Sequence, residues 1–105
     1  MSGYRVLPAA YDDLLDLVEH ASDYSERARD ALTDTLIECF ERLSAFPNLG
    51  RARSDLDPRV RSFPVNRLRV TVYYFAPGED VGELLIARVL RQGRDVSGED
   101  VRPEL

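Results

Sequence analysis

Lysine and tryptophan are absent from this 105-residue chain, and cysteine, histidine and methionine each occur once. Without lysine there is no amine to serve as a base or to form a Schiff base. All 14 basic residues are therefore arginines, which keep their protons near neutral pH. The lone Cys39 excludes an internal disulfide and fits a reducing compartment, so a cytoplasmic location is expected. No apolar run approaches the ~18 residues of a membrane span. The start of the chain carries Arg5 but no apolar signal core, so neither membrane association nor a secretory leader is expected. No cofactor and no metal site are expected.

A hydrophobic share of 44% with 31% charged residues is that of a soluble globular protein. The length suits one domain with a modest core. That domain is expected over residues 1–96, with residues 97–105 as a loose polar tail. The net charge of −5 argues against a general nucleic-acid binder, and no sequence-specific nucleic-acid binding is expected. The charge is unevenly spread. Residues 1–49 hold 4 arginines against 10 acids, residues 50–94 hold 9 against 5, and residues 95–105 hold 1 against 4. The basic third is where function is sought.

Tyr4-Arg5-Val6-Leu7 reads as a short strand. Pro8 suits the first turn of a helix, where its missing N–H costs nothing. Ala10, Leu14, Leu17, Val18 and Ala21 then recur at helical spacing, predicting a helix over 8–22. A break at Ser22–Ser25 offers Asp23 or Ser25 as the next cap. Ala28, Leu32, Leu36, Cys39, Phe40 and Leu43 mark a second helix over about 25–45, antiparallel to the first. Pro47 ends it, and Asn48-Leu49-Gly50 is a turn. Residues 51–58 read as a polar loop. Arg59 to Phe63 reads as a weak strand, which Pro64 ends or confines to an edge. Leu68–Phe75 and Glu83–Arg91 read as the main strands, joined by a hairpin loop over Ala76–Gly82. The order β-α-α-β-β-β predicts an α+β fold: a helical hairpin packed on one face of a small, mainly antiparallel sheet.

Strict alternation gives the last two strands apolar residues on both faces. In Leu68–Phe75, Leu68, Val70, Val72 and Tyr74 oppose Arg69, Thr71, Tyr73 and Phe75. In the last strand, Leu84, Ile86, Arg88 and Leu90 oppose Leu85, Ala87, Val89 and Arg91. Two helices cover one face only. The other is covered either by the chain's own loops and tail or by another chain.

Four segments carry a resemblance to the ParE/RelE toxin superfamily. Tyr4-Arg5-Val6-Leu7 before an acidic helix resembles its opening. Phe46-Pro47-Asn48-Leu49-Gly50-Arg51 resembles its P-x-x-G-R/K turn, and Arg59-Val60-Arg61-Ser62-Phe63 its short arginine-bearing strand. Ile86-Ala87-Arg88-Val89-Leu90-Arg91, with Arg94-Asp95, resembles its ending, except that Arg91 stands where the family pattern has histidine. Together they span roughly residues 4–96. The resemblance implies a small cytoplasmic toxin of a type II toxin–antitoxin, plasmid-stabilisation-like module, bound in a hetero-oligomer by a cognate antitoxin. The RelE branch cuts mRNA on the ribosome, whereas the ParE branch is associated with inhibition of DNA gyrase.

Chemistry favours the ParE branch. Metal-free RNA cleavage needs one group to activate the 2′-hydroxyl and another to protonate the leaving oxygen. Arginine can only stabilise the developing charge. Tyr73 or Tyr74 would need strong tuning to shuttle a proton. The plainer reading puts Tyr74 in the core and Tyr73 on the surface. His20 lies on the first helix, far in sequence from the arginines, and reads as structural. No catalytic residue is therefore expected; a RelE-like ribonuclease, the enzymatic alternative, would use Arg61, Tyr73 and Arg91. A third reading is a degenerate member that only binds antitoxin. Arg51, Arg61, Arg69, Arg88, Arg91 and Arg94, with Arg53, are the candidate partner-binding residues. They form either one patch for an acidic partner or a set of pairs with Asp55, Asp57, Asp95 and helix acids. Cys39 reads as a small buried hydrophobe. Tyr73 or His20 among guanidinium groups in an open, phosphate-sized hollow would count against this non-enzymatic reading.

Overall fold

The computed structural model describes residues 3–78 and 82–102. Glu79, Asp80 and Val81 of the expected hairpin loop, and Pro103–Leu105 of the expected tail, lie outside the described residues.

Strand β1 (Tyr4–Val6) leads into helix α1 (Pro8–Ser22), with Pro8 in its first turn. Helix α2 (Glu26–Ala45) is capped by Ser25, whose side chain accepts the Ala28 N–H at 3.0 Å. Of the two proposed caps, Ser25 is the one used. Strands β2 (Arg51–Ala52), β3 (Val60–Val65), β4 (Val70–Phe75) and β5 (Leu84–Arg91) follow, and then a short helix α3 (Gly98–Val101). The sheet order is β1-β5-β4-β3-β2, parallel between β1 and β5 and antiparallel elsewhere. The α+β architecture is as predicted.

Four details differ from the sequence reading. The loop after Gly50 contains the two-residue strand β2, because Arg51 and Ala52 pair with Ser62 and Arg61. Strand β3 runs through Pro64 to Val65. It tolerates the proline because β2 is too short to reach it, so the missing N–H faces an open edge. Leu68 and Arg69 belong to the turn before β4.

The fourth difference is a bulge. Tyr73 pairs with Arg88 and Tyr74 with Ile86, leaving Ala87 without a partner. The bulge resets the alternation of β5. Val89 therefore joins Leu84 and Ile86 on the helix side, while Leu90 joins Leu85 and Ala87 on the other.

Each face of the sheet has its own core. On one, Val70, Val72, Tyr74, Leu84, Ile86 and Val89 pack against Leu17, Leu36, Phe40 and Leu43 of the helical hairpin. On the other, Val60, Tyr73, Phe75, Leu85, Ala87 and Leu90 pack under Val101, with Leu56 and Val96 beside them. The chain covers its own second face. Of the expected tail, the described residues 97–102 are not loose: a capping box between Ser97 and Asp100 starts α3, and Val101 is completely buried. Gly98 is required there, because a Cβ would lie 2.4 Å from the Leu56 carbonyl oxygen.

Candidate functional site

The turn after α2 is fastened to the sheet by Tyr74. Its hydroxyl donates to the Pro47 carbonyl at 2.7 Å and accepts the Gly50 N–H at 2.8 Å. A Cβ on Gly50 would meet that hydroxyl at 2.6 Å, so only glycine allows the approach. Arg61 adds a third tie, donating to the Gly50 carbonyl at 2.7 Å. Burial, the largest influence, pushes the Tyr74 phenol above its ordinary range. Tyr74 is thus a core anchor, as the plainer reading had it. Tyr73 is not a surface residue; it is 6% exposed in the second core.

The arginines do not form one patch. Arg88 is turned inward: Nε and Nη2 donate to the two carboxylate oxygens of Asp13 at 2.7 and 2.9 Å, and Nη1 donates to the Asp100 carbonyl at 3.1 Å. Arg94 pairs with Asp100 at 3.6 Å, Arg53 with Asp55 at 2.9 Å and Arg59 with Asp57 at 3.2 Å. Arg59 also lies over the Phe75 ring. The exposed Arg51, Arg69 and Arg91 form no ion pair among the described residues.

These three mark two separate hollows. One, of about 390 Å³, lies over β2–β4 and is lined by Arg51, Arg53, Ser62, Thr71 and Tyr73, with Leu49 and Phe63 at its rim. Arg53 stands over the Tyr73 ring, 5.9 Å from its centre. The second, of about 350 Å³, lies at the far end of the sheet beneath α1, between Arg69 and Arg91. Its floor is apolar, and His20 is on its wall. Folding therefore brings both Tyr73 and His20 beside guanidinium groups, each in an open hollow. That geometry meets the condition stated above and removes remoteness as an argument against catalysis. What survives is the count: each hollow contains one residue able to exchange a proton, and the two are in different hollows. Arg61 and Arg91, the expected companions of Tyr73 in a ribonuclease site, line neither side of the Tyr73 hollow.

Among the described residues, no group of three or more histidine, cysteine or acidic side chains could hold a metal ion. Cys39 is buried on the α2 stripe, and burial raises its thiol to about 11, which makes it inert. No helix is long and apolar enough to cross a membrane among the described residues. Sequence reasoning missed Asp13, which also accepts the Val89 N–H at 3.0 Å. That N–H is free because β1 stops at Val6 and leaves the rest of the β5 edge open.

The family described as "ParE toxin of type II toxin-antitoxin system, parDE" matches residues 4–96. Toxin ParE3 of Caulobacter vibrioides is 53% identical over 51 residues, covering 49% of this chain and 46% of that protein. The aligned region is thus about half the length of this curated relative. With the helical hairpin, the five-stranded sheet and a family match over nearly the whole length, the chain belongs to the ParE toxin family of type II toxin–antitoxin systems.

Proposed function

We propose that the protein is the toxin of such a module, acting in the cytoplasm by protein–protein binding and held by a cognate antitoxin in a hetero-oligomer. DNA gyrase is the proposed target, by the family resemblance. One observation carries the reading. The two arginine-lined hollows offer fixed positive charge beside apolar surface, yet neither contains the pair of proton-exchanging groups that metal-free RNA cleavage requires. Guanidinium groups at the rim of an apolar surface suit a carboxylate-bearing protein partner.

Purified protein is expected to inhibit supercoiling by gyrase and to leave ribosome-bound mRNA intact. The product of the adjacent gene should restore supercoiling. Codon-dependent cuts in the mRNA would overturn the reading. No inhibition at saturating protein, with the antitoxin still bound, would point to a degenerate member that only binds antitoxin.

The ribonuclease reading draws support from one contact, Tyr73 beneath Arg53 and next to Arg51. Under that reading Tyr73→Phe abolishes mRNA cleavage. Under the binding reading there is no cleavage to abolish.

A further inference from the structure

We propose that the hollow over β2–β4 binds a phosphate group, either as the free ion or carried by a small molecule. The site goes beyond the reading of the protein as a toxin and does not depend on it.

Three neighbouring strands aim hydrogen-bond donors at one place. Register sets Arg51 of β2 opposite Ser62 of β3, and Ser62 opposite Tyr73 of β4. Residues paired in register share a face of the sheet, so a guanidinium and two hydroxyls stand in one row across it. Thr71, two residues before Tyr73, adds a third hydroxyl on that face. Arg53 stands over the Tyr73 ring. Among the described residues no acidic side chain lines this hollow, whereas Asp13 and Asp16 line the one along α1.

Ser62 is the observation that points to a ligand. At 6% exposure it is the only buried polar residue among the described residues. Buried polar groups nearly always have a partner. The hydroxyls of Ser62 and Thr71 have none among the described residues. Neither hydroxyl is sealed from solvent, and both residues line the hollow. Two donors are therefore available from the floor of the site.

The charge is equally available. Arg51 is exposed and has no ion pair among the described residues. Arg53 pairs with Asp55, whose side chain is 60% exposed, and so exposed a pair yields readily to a better anion. The backbone leading to Arg51 is already fixed, because Tyr74 binds the Gly50 N–H and Arg61 the Gly50 carbonyl. A site set in advance loses little freedom when it is filled.

The arrangement selects the ligand. A planar carboxylate presents its oxygens in one plane, whereas a tetrahedral phosphate can meet guanidinium groups at the rim and hydroxyls on the floor together. The hollow, about 390 Å³, exceeds the needs of a bare ion and falls in the roughly 300–1,000 Å³ range of small-molecule sites. Leu49 and Pro64 offer apolar surface for a carrier group. The net charge of −5 disfavours a long polyanion.

The test is an amide NMR titration of the full chain at constant ionic strength with four probes: inorganic phosphate, a nucleoside 5′-monophosphate, the same nucleoside without phosphate, and a single-stranded oligonucleotide. The first two are expected to shift Arg51, Ser62, Thr71 and Tyr73 saturably, and the bare nucleoside is not. Equal affinities assign the site to the free ion, and a tighter nucleotide assigns it to a phosphate ester; either result supports the proposal. Arg51→Gln and Ser62→Ala should each weaken binding about tenfold or more, the loss of one charge-assisted or buried hydrogen bond. Arg67→Gln, which removes an exposed charge elsewhere, should change it far less. No saturable shift, equal shifts from the bare nucleoside, or undiminished binding by both site variants with their spectra otherwise intact would overturn the proposal. So would an oligonucleotide that binds much more tightly than the mononucleotide, since that would make the surface one for nucleic acid. None of these results bears on gyrase inhibition, which is read in its own assay.

Discussion

At the scale of single residues, Tyr74 shows how a toxin-like turn motif follows from packing. Gly50 lacks a side chain because the Tyr74 hydroxyl occupies that space, and Arg61 closes the turn from the far side. Tyr74→Phe leaves the buried Gly50 N–H and the Pro47 carbonyl without their partner. The expected loss is about 1–3 kcal/mol by urea denaturation, and a loss well under 0.5 kcal/mol would show that water replaces the hydroxyl. Cys39 gives a pH prediction of definite sign. Its thiol titrates at about 11 when folded, against 9.0 when free. Between those values the unfolded chain has released the proton and the folded chain has kept it, so stability falls as pH rises. Cys39→Ala should flatten the decline from about pH 9 to 10. Tyr4 and Tyr74, also raised by burial, begin to contribute only above their free value of 10.0. An unchanged stability curve would show that the thiol is not desolvated.

At the scale of elements, the helices were legible in the sequence and the second face of the sheet was not. The apolar stripes of α1 and α2 repeat over several turns, so Pro8–Ser22 and Glu26–Ala45 emerge within a residue or so of expectation. Strand alternation has no such redundancy. One unpaired residue, Ala87, exchanges the faces of everything after it, and nothing in Ala87-Arg88 announces the bulge. The polar composition of residues 95–102 likewise conceals two apolar plugs, Val96 and Val101. Seven candidate partner-binding arginines could be named from sequence. Which of them were already engaged depended on acids distant in the chain. Arg88 is the clearest case. Its side chain is 18% exposed and that of Asp13 is 12%, and together they join α1, β5 and α3. Arg88→Ala would strand the Asp13 carboxylate and release α3, with a loss expected near 3–5 kcal/mol by thermal or chemical denaturation. Hydrogen exchange should then rise first at Val96–Val101. Unaltered protection there would mean that Val101 alone holds the strap.

At the scale of the whole molecule, the decisive property is the separation of charge and its local cancellation. The sheet third carries an excess of arginine, but pairs with Asp13, Asp55, Asp57 and Asp100, the first of them turned inward, consume much of it. Arg51, Arg61, Arg67, Arg69 and Arg91 of that third have no acid partner among the described residues, and three of them, Arg51, Arg69 and Arg91, line the hollows of a molecule of net charge −5. Such a protein should attract an acidic partner locally and repel polyanions globally. Arg91→Glu is therefore expected to weaken antitoxin binding by about 1–3 kcal/mol in calorimetry. Arg67→Glu, a reversal of the same size outside both hollows, should change it far less. The difference between the two variants should shrink as salt rises from 0.1 to 1 M, because the screening length falls from about 10 to about 3 Å. A difference that persists undiminished at high salt would mean that Arg91 acts through desolvated, direct contact. Equal effects of the two substitutions at every salt concentration would mean that only net charge matters, and that the partner does not read the positions of the arginines.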